Sequence, residues 1–225
     1  MATKDEEEKE YCAPYAILTF SVGEIMNNVV TFIPELPLAK RLEMQRLEMA
    51  NFLKIYIEFN ETFWDTGVDT INIMDELNGR EYYPYFIPWG DYFSHKPPIL
   101  QAFLTGDTAL RVAYQDLEIT KEQIAEVMRN VYGEKASDPV DIIMHDFIVN
   151  RYFFGDFSSV TPGVSDNTFE ELNLPIGQLY LAGEAYIKGF HSTTHGALIH
   201  GSSVAEIIAR EIQGPLTSMY LIVVY

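Results

Sequence analysis

Cysteine is nearly absent: Cys12 stands alone in 225 residues. That excludes an internal disulfide framework and any cysteine-based metal cage. Positive charge is scarce as well, with 15 Lys and Arg against 33 Asp and Glu and a formal net charge of −18. No basic stripe exists to neutralise phosphates, so no nucleic-acid partner is expected. The same balance suits a cationic ligand through long-range steering, and it describes a solvated acidic surface equally well. Long apolar runs are missing too. The closing stretch Met219–Tyr225 has seven residues, whereas a membrane helix needs about 20. It reads as a strand or as a tail of unknown role, and no membrane span is expected. The start, MATKDEEEKE, lacks the basic patch and apolar run of a secretory signal. A cytoplasmic location is therefore the default expectation.

Several chemical signatures are absent. No G-x-G-x-x-G, G-x-S-x-G or phosphate-binding P-loop occurs, which argues against nucleophile-elbow hydrolases and P-loop kinases. His191 and His195 are four apart, but Ser192, Thr193 and Thr194 between them supply no glutamate of the H-E-x-x-H type. No metal site is expected.

What is present is material for a core. Hydrophobic residues make up 48% of the chain, enough to place its bulk among folded domains. Tyr15–Val22 reads as a buried strand bounded by Pro14 and Gly23. An amphipathic helix is expected from Leu38 through Met49, and Leu53–Phe59 alternates as a strand with Lys54, Tyr56 and Glu58 on one face. Further strands are predicted at Thr70–Met74, Tyr82–Ile87, Ile99–Leu104 and Val140–Val149, with turns at Asn78-Gly79 and Trp89–Asp91. Thr120 and Gln123 form a capping-box pattern ahead of a helix that stops at Gly133. A strand ends at Gly183-Glu184, and a helix follows over Thr194–Ile212, closed by Gly214-Pro215. Ala197, Gly201 and Ala205 would give that helix a face for close approach. The mixture predicts an α+β or α/β fold with a mostly antiparallel middle region.

Three features could carry chemistry. Gly183-Glu184 lies between a strand and a helix N-terminus, where α/β folds place ligands, although a glycine there also serves simply to turn the chain. Lys54 reads either as a solvated lysine on a strand's polar face or as a functional cation. The aromatic loop with Phe153, Phe154 and Phe157 reads as core packing or as a binding wall.

The order of motifs goes further than any one of them. Tyr15–Gly23, Phe32–Lys40, Leu53-Lys54-Ile55 with Phe59 and Phe63-Trp64, Gly155–Ser158, Leu179–Glu184 and His195-Gly196-Ala197 follow one another from about Tyr15 to Ile212. In this order they resemble the C-terminal half of flavin-dependent amine oxidases, the polyamine oxidases most of all. The resemblance implies FAD-dependent oxidation of a cationic amine such as spermine or spermidine. A hydride would pass from the carbon beside the neutral amine to flavin N5, and oxygen would reoxidise the flavin to give peroxide. It implies Lys54 as the catalytic lysine beside the flavin, and Gly183, Glu184, Thr193, Thr194 and Phe147 as cofactor-binding residues. Phe157 would form one wall of an aromatic substrate sandwich, with Thr193 at the position of the other. The FAD would be noncovalent, since no cysteine lies near the aromatic loop.

Two departures bear on substrate range. Thr193 stands where the family commonly has tyrosine, and Phe147 where it has tryptophan. A third is larger: the family's N-terminal βαβ unit with G-x-G-x-x-G has no counterpart in the sequence. The expected organisation is therefore partial. Residues 1–10 form an acidic disordered tail, 11–33 a strand of a Rossmann-like FAD-binding domain, and 34–156 a substrate-binding segment. Residues 157–213 return to the FAD-binding domain, and 214–225 form an apolar tail. On this expectation the chain alone binds FAD weakly or not at all. It is then either the C-terminal part of an oxidase or a catalytically inactive fragment serving as an interaction or regulatory module.

Overall fold

The computed structural model describes residues 11–74 and 82–212 together with the backbone of 221–224. The expected acidic tail, the Asn78-Gly79 turn and the Gly214-Pro215 helix stop lie outside the described residues. The fold is a mixed α+β one, arranged as two units. One unit takes the chain up to Met49 and from Arg151 onward; the other is Ala50–Asn150.

The Ala50–Asn150 unit is built on a five-stranded sheet. Its strands are β4 (Phe52–Glu58), β5 (Ile71–Asn72), β6 (Tyr85–Ile87), β7 (Ile99–Thr105) and β8 (Asp141–His145), in the order β5-β6-β7-β4-β8 with every pair antiparallel. Strand period decides the two faces. Leu53, Ile55 and Ile57 point with Leu100, Ala102, Leu104, Phe86 and Ile142 into a closed core. That core is sealed by Ala109 and Val112 of α3 (Gly106–Ala113) and by Ile124, Val127 and Met128 of α4 (Leu117–Tyr132). Each fully buried aliphatic side chain contributes roughly 1.5–3 kcal/mol. Tyr83 is also fully buried and donates its hydroxyl to Gln123 Oε1 at 2.9 Å. Burial pushes that hydroxyl up to about 12.

The other unit carries β1 (Ala16–Leu18) paired in parallel with β10 (Leu179–Leu181). Two antiparallel pairs accompany it: β2 (Val30–Ile33) with β11 (Leu221–Val224), and β3 (Leu47–Met49) with β9 (Ser158–Val160). Its helices are α1 (Val22–Met26), α2 (Leu38–Met44), α5 (Asp166–Asn173) and α6 (Thr194–Ile212). Lys40 of α2 is buried and donates from Nζ to the carbonyls of Glu171 and Leu172, at 2.5 and 2.9 Å. Those carbonyls end α5, where a cation complements the helix dipole. Desolvation nonetheless lowers the Lys40 ammonium to about 8.

Several local expectations need correction. The strand predicted over Tyr15–Val22 stops at Leu18, because Ser21 caps α1 through its hydroxyl and the Gly23 N–H. The helix from Leu38 ends at Met44, and Leu47–Met49 is a strand. The cap of α4 is Asp116, whose carboxylate accepts from the Glu118 N–H at 2.8 Å. Thr120 is instead buried inside that helix. Helices α3 and α5 lie where no helix was predicted. In α6 the buried stripe is Gly196, His200, Val204 and Ile208, while Ala197 and Gly201 are half-buried and Ala205 is exposed. The helix packs through a face that includes a histidine, beside the one its small residues suggested.

Candidate active site

In the unit that carries β10, the chain leaves the strand through Ala182 and enters a single 3-10 turn, Glu184–Tyr186. Gly183 opens it at φ 146° and ψ −175°, a region that essentially only glycine occupies. Glu184 is half-buried, and both of its carboxylate oxygens accept hydrogen bonds. Oε1 accepts from the Ser158 N–H at 2.9 Å, and Oε2 accepts from Ser158 Oγ at 2.7 Å and from the Ser192 N–H at 2.6 Å. Ser192 Oγ in turn donates to the Ser158 carbonyl. This carboxylate therefore ties β9 to the loop that starts α6.

That loop ends on Thr193, the N-cap of α6. Its Oγ1 donates to the Phe190 carbonyl at 2.6 Å and accepts from the Gly196 N–H at 3.0 Å. The hydroxyl serves the helix start, which explains a short side chain at this position. Thr194 and His195, the first helical residues, are exposed. No acceptor among the described residues meets their N–H groups, so both are available to an acceptor-bearing edge. Phe157 is half-buried and directly precedes Ser158. Phe157, Gly183, Glu184, Thr193 and Thr194 thus gather around one hydrogen-bonded junction.

Lys54 and Phe147 belong to the other unit. Lys54 is half-buried on the open face of the sheet, opposite Phe103 on one side and His145 on the other. Its Nζ lies 5.6 Å from the Phe52 ring centroid, and it makes no ion pair among the described residues. Aromatic rings line part of that face, where Phe52 meets Phe103 at 5.4 Å, Phe103 meets Tyr85 at 5.6 Å, and Tyr56 meets Trp89 at 5.6 Å between ring centroids; Glu58, Gln101 and Ile143 share it. Phe147 is half-buried with its ring edge-on to His145 at 4.3 Å.

Sequence reasoning missed four residues here. Ser158 and Ser192 hold Glu184, and His200 and Asn173 hold the turn around it. None stands in a recognisable pattern; the only available signal was a histidine in the apolar stripe of α6. Among the described residues no group of three or more His, Cys, Asp or Glu could hold a metal, and no helix is long and apolar enough to cross a membrane. A cavity of about 400 Å³ lined by Met26, Phe32, Glu35, Arg41 and Met44, among others, contains none of the candidate residues.

The model of flavin-containing amine oxidoreductases matches residues 2–209, and the chain belongs to that family. Among its relatives, polyamine oxidase 6 of Oryza sativa subsp. japonica is 29% identical over 211 residues, which is 92% of this chain and 42% of the relative. Polyamine oxidase 1 of Zea mays is 28% identical with the same coverage of both chains. Histone demethylase-like protein A of Aspergillus fumigatus is 28% identical over 94% of this chain and 20% of its own length. The chain therefore spans about two fifths of the polyamine oxidases it matches. Among solved structures, cyclohexylamine oxidase from Brevibacterium oxydans superposes with a TM-score of 0.69 at 18% identity, covering 89% of this chain and 43% of that one. Putrescine oxidase bound to putrescine gives 0.71 at 19% identity, covering 87% and 43%. These likenesses establish the fold as part of the flavin amine oxidase fold.

Proposed function

We propose that this chain supplies the flavin- and amine-facing residues of an FAD-dependent polyamine oxidase. Family membership supports the flavin and amine chemistry; the assignment to polyamines rests on the relatives' names and on the aromatic face around Lys54. The carrying observation is the junction at Glu184. A positive-φ glycine and an ordered carboxylate are tied by the Ser192 N–H bond to the loop that starts a 19-residue helix, whose first two N–H groups meet no acceptor among the described residues. Such a junction fits a flavin, which presents hydrogen-bonding edges and accumulates negative charge on reduction.

In this reading the unit with Gly183 is the remaining part of the FAD-binding domain, and the sheet unit binds substrate. Gly183, Glu184, Thr193, Thr194 and Phe147 hold the cofactor. FAD supplies the acceptor for the amine's hydride. Lys54 provides a positive charge beside aromatic rings, placed to act on the negative charge that develops as oxygen is reduced. Phe157 receives an extended aliphatic amine by apolar contact and, while it is protonated, cation–π attraction. Thr193, too short to form an aromatic wall, widens the approach.

The test is amine-dependent peroxide release by the chain joined to a G-x-G-x-x-G-bearing family half. Spermine or spermidine is expected to support turnover. Activity with other amines alone would reject the polyamine assignment, and a flavin-loaded protein without peroxide release would favour the inactive interaction module.

A further inference from the structure

We infer that His200 and Asn173 form a side-chain clamp that positions the Gly183–Tyr186 turn, and with it the Glu184 carboxylate, for the flavin; this rests on the reading of Gly183 and Glu184 as cofactor-binding residues. The turn holds itself weakly. Its own closing bond, from the Tyr186 N–H to the Gly183 carbonyl, is 3.5 Å long, at the limit of a hydrogen bond. Its first residue sits in backbone space that side-chain-bearing residues avoid. Something else must fix it.

His200 is 7% exposed, a polar side chain in an otherwise apolar stripe of α6. Both ring nitrogens are used, as burial requires. The Gly183 N–H donates to Nδ1 at 3.2 Å, and Nε2 meets Asn173 Oδ1 at 2.5 Å. An amide N–H can be accepted only by an unprotonated nitrogen, so Nδ1 is bare and Nε2 carries the proton toward the Asn173 oxygen. Burial favours the same neutral form by lowering the imidazole's affinity for a second proton. Asn173, the last residue of α5, then donates through Nδ2 to the Tyr186 carbonyl at 2.8 Å and to the Phe169 carbonyl at 2.7 Å. Thus the N–H that opens the turn and the C=O that closes it are gripped by one continuous bridge from α6 to α5. Glu184 lies between the two grips. Its carboxylate is aimed by Ser158 and Ser192, and its backbone by the clamp.

The ring geometry allows the two halves of the bridge to be removed separately. In His200→Asn the amide oxygen replaces Nδ1 and retains an acceptor for Gly183, whereas in His200→Gln the terminal amide replaces Nε2 and leaves the Gly183 N–H unpaired. The primary measurement is nitrogen-detected NMR of the full chain at neutral pH, with amide exchange at Gly183. A bare Nδ1 and a protonated Nε2 are expected in the wild type. Exchange at Gly183 is expected to rise at least about tenfold in His200→Gln and to stay within about threefold in His200→Asn, as loss of one buried hydrogen bond implies. A protonated Nδ1, or equal acceleration in both variants, overturns the clamp. The wild-type nitrogen spectrum decides the point even if a variant does not fold. FAD retention by the completed enzyme separates the clamp from the reading beneath it. About tenfold weaker retention in His200→Gln, with little change in His200→Asn, supports positioning. Equal retention by all three forms overturns it, and no retention by any form with the exchange pattern intact rejects the cofactor reading while leaving the clamp in place.

Discussion

Lys54→Met in the completed oxidase is expected to slow flavin reoxidation by oxygen at least about tenfold, equivalent to about 1.4 kcal/mol of barrier. Methionine keeps the apolar stem and removes the charge. The lysine is half-buried, its Nζ is 5.6 Å from the Phe52 ring, and it has no ion-pair partner among the described residues. The fold therefore loses little: such a change away from core and network residues costs within about 0.5 kcal/mol. An electrostatic role and a structural one thus separate cleanly. Stopped-flow measurement of the two half-reactions should place the loss in reoxidation, with reduction by the amine less affected. Unchanged rates in both half-reactions would remove Lys54 from the site.

Gly196→Ala is expected to be strongly destabilising. A Cβ at this position would stand 2.0 Å from the Phe190 carbonyl oxygen and 2.8 Å from Thr193 Oγ1. The first obstacle is backbone, so no rotamer change can relieve it. The Phe190–Thr193 loop would have to move off the first turn of α6, breaking the cap that Thr193 makes with the Gly196 N–H. Overpacking and cap loss together should cost about 3 kcal/mol or more. Because Ser192 in the same loop donates to Glu184, FAD retention should fall along with stability. Denaturant midpoints of the two proteins measure the first effect; a midpoint shift worth less than about 1 kcal/mol would show that the loop yields easily.

The parts of the fold that were legible in the sequence are those whose signal is local and repeated. Strand β4 alternates over its whole length, and α4 ends at Gly133, whose φ of 60° suits a residue without a side chain. The extent of α6 over Thr194–Ile212 followed from its long apolar pattern. Helices α1, α3 and α5 have five, eight and eight residues, too few turns for periodicity to show. The capping-box pattern at Thr120 misled because Thr120 is buried within α4 and bonds back to the Asp116 carbonyl at 3.3 Å, while Asp116 itself caps the helix. In the site, Gly183 and Glu184 could be singled out because they sit together at a strand end. Their partners could not: Ser158 lies 26 positions from Glu184, and Asn173 lies 27 from His200. Hydrogen bonds across such separations leave no periodic trace. Thr193 was visible as a departure from a family tyrosine, but its use as a helix cap became apparent only from the geometry of Phe190 and Gly196.

The central claim is that residues of this chain hold FAD once the rest of the family fold is present. Equilibrium dialysis against FAD, with the absorbance spectrum of the retained flavin, tests it most directly. The chain joined to a G-x-G-x-x-G-bearing half should come out yellow and keep FAD at micromolar concentration or below, while the chain by itself should not. A colourless joined protein, or equally tight retention by the chain alone, would contradict the account.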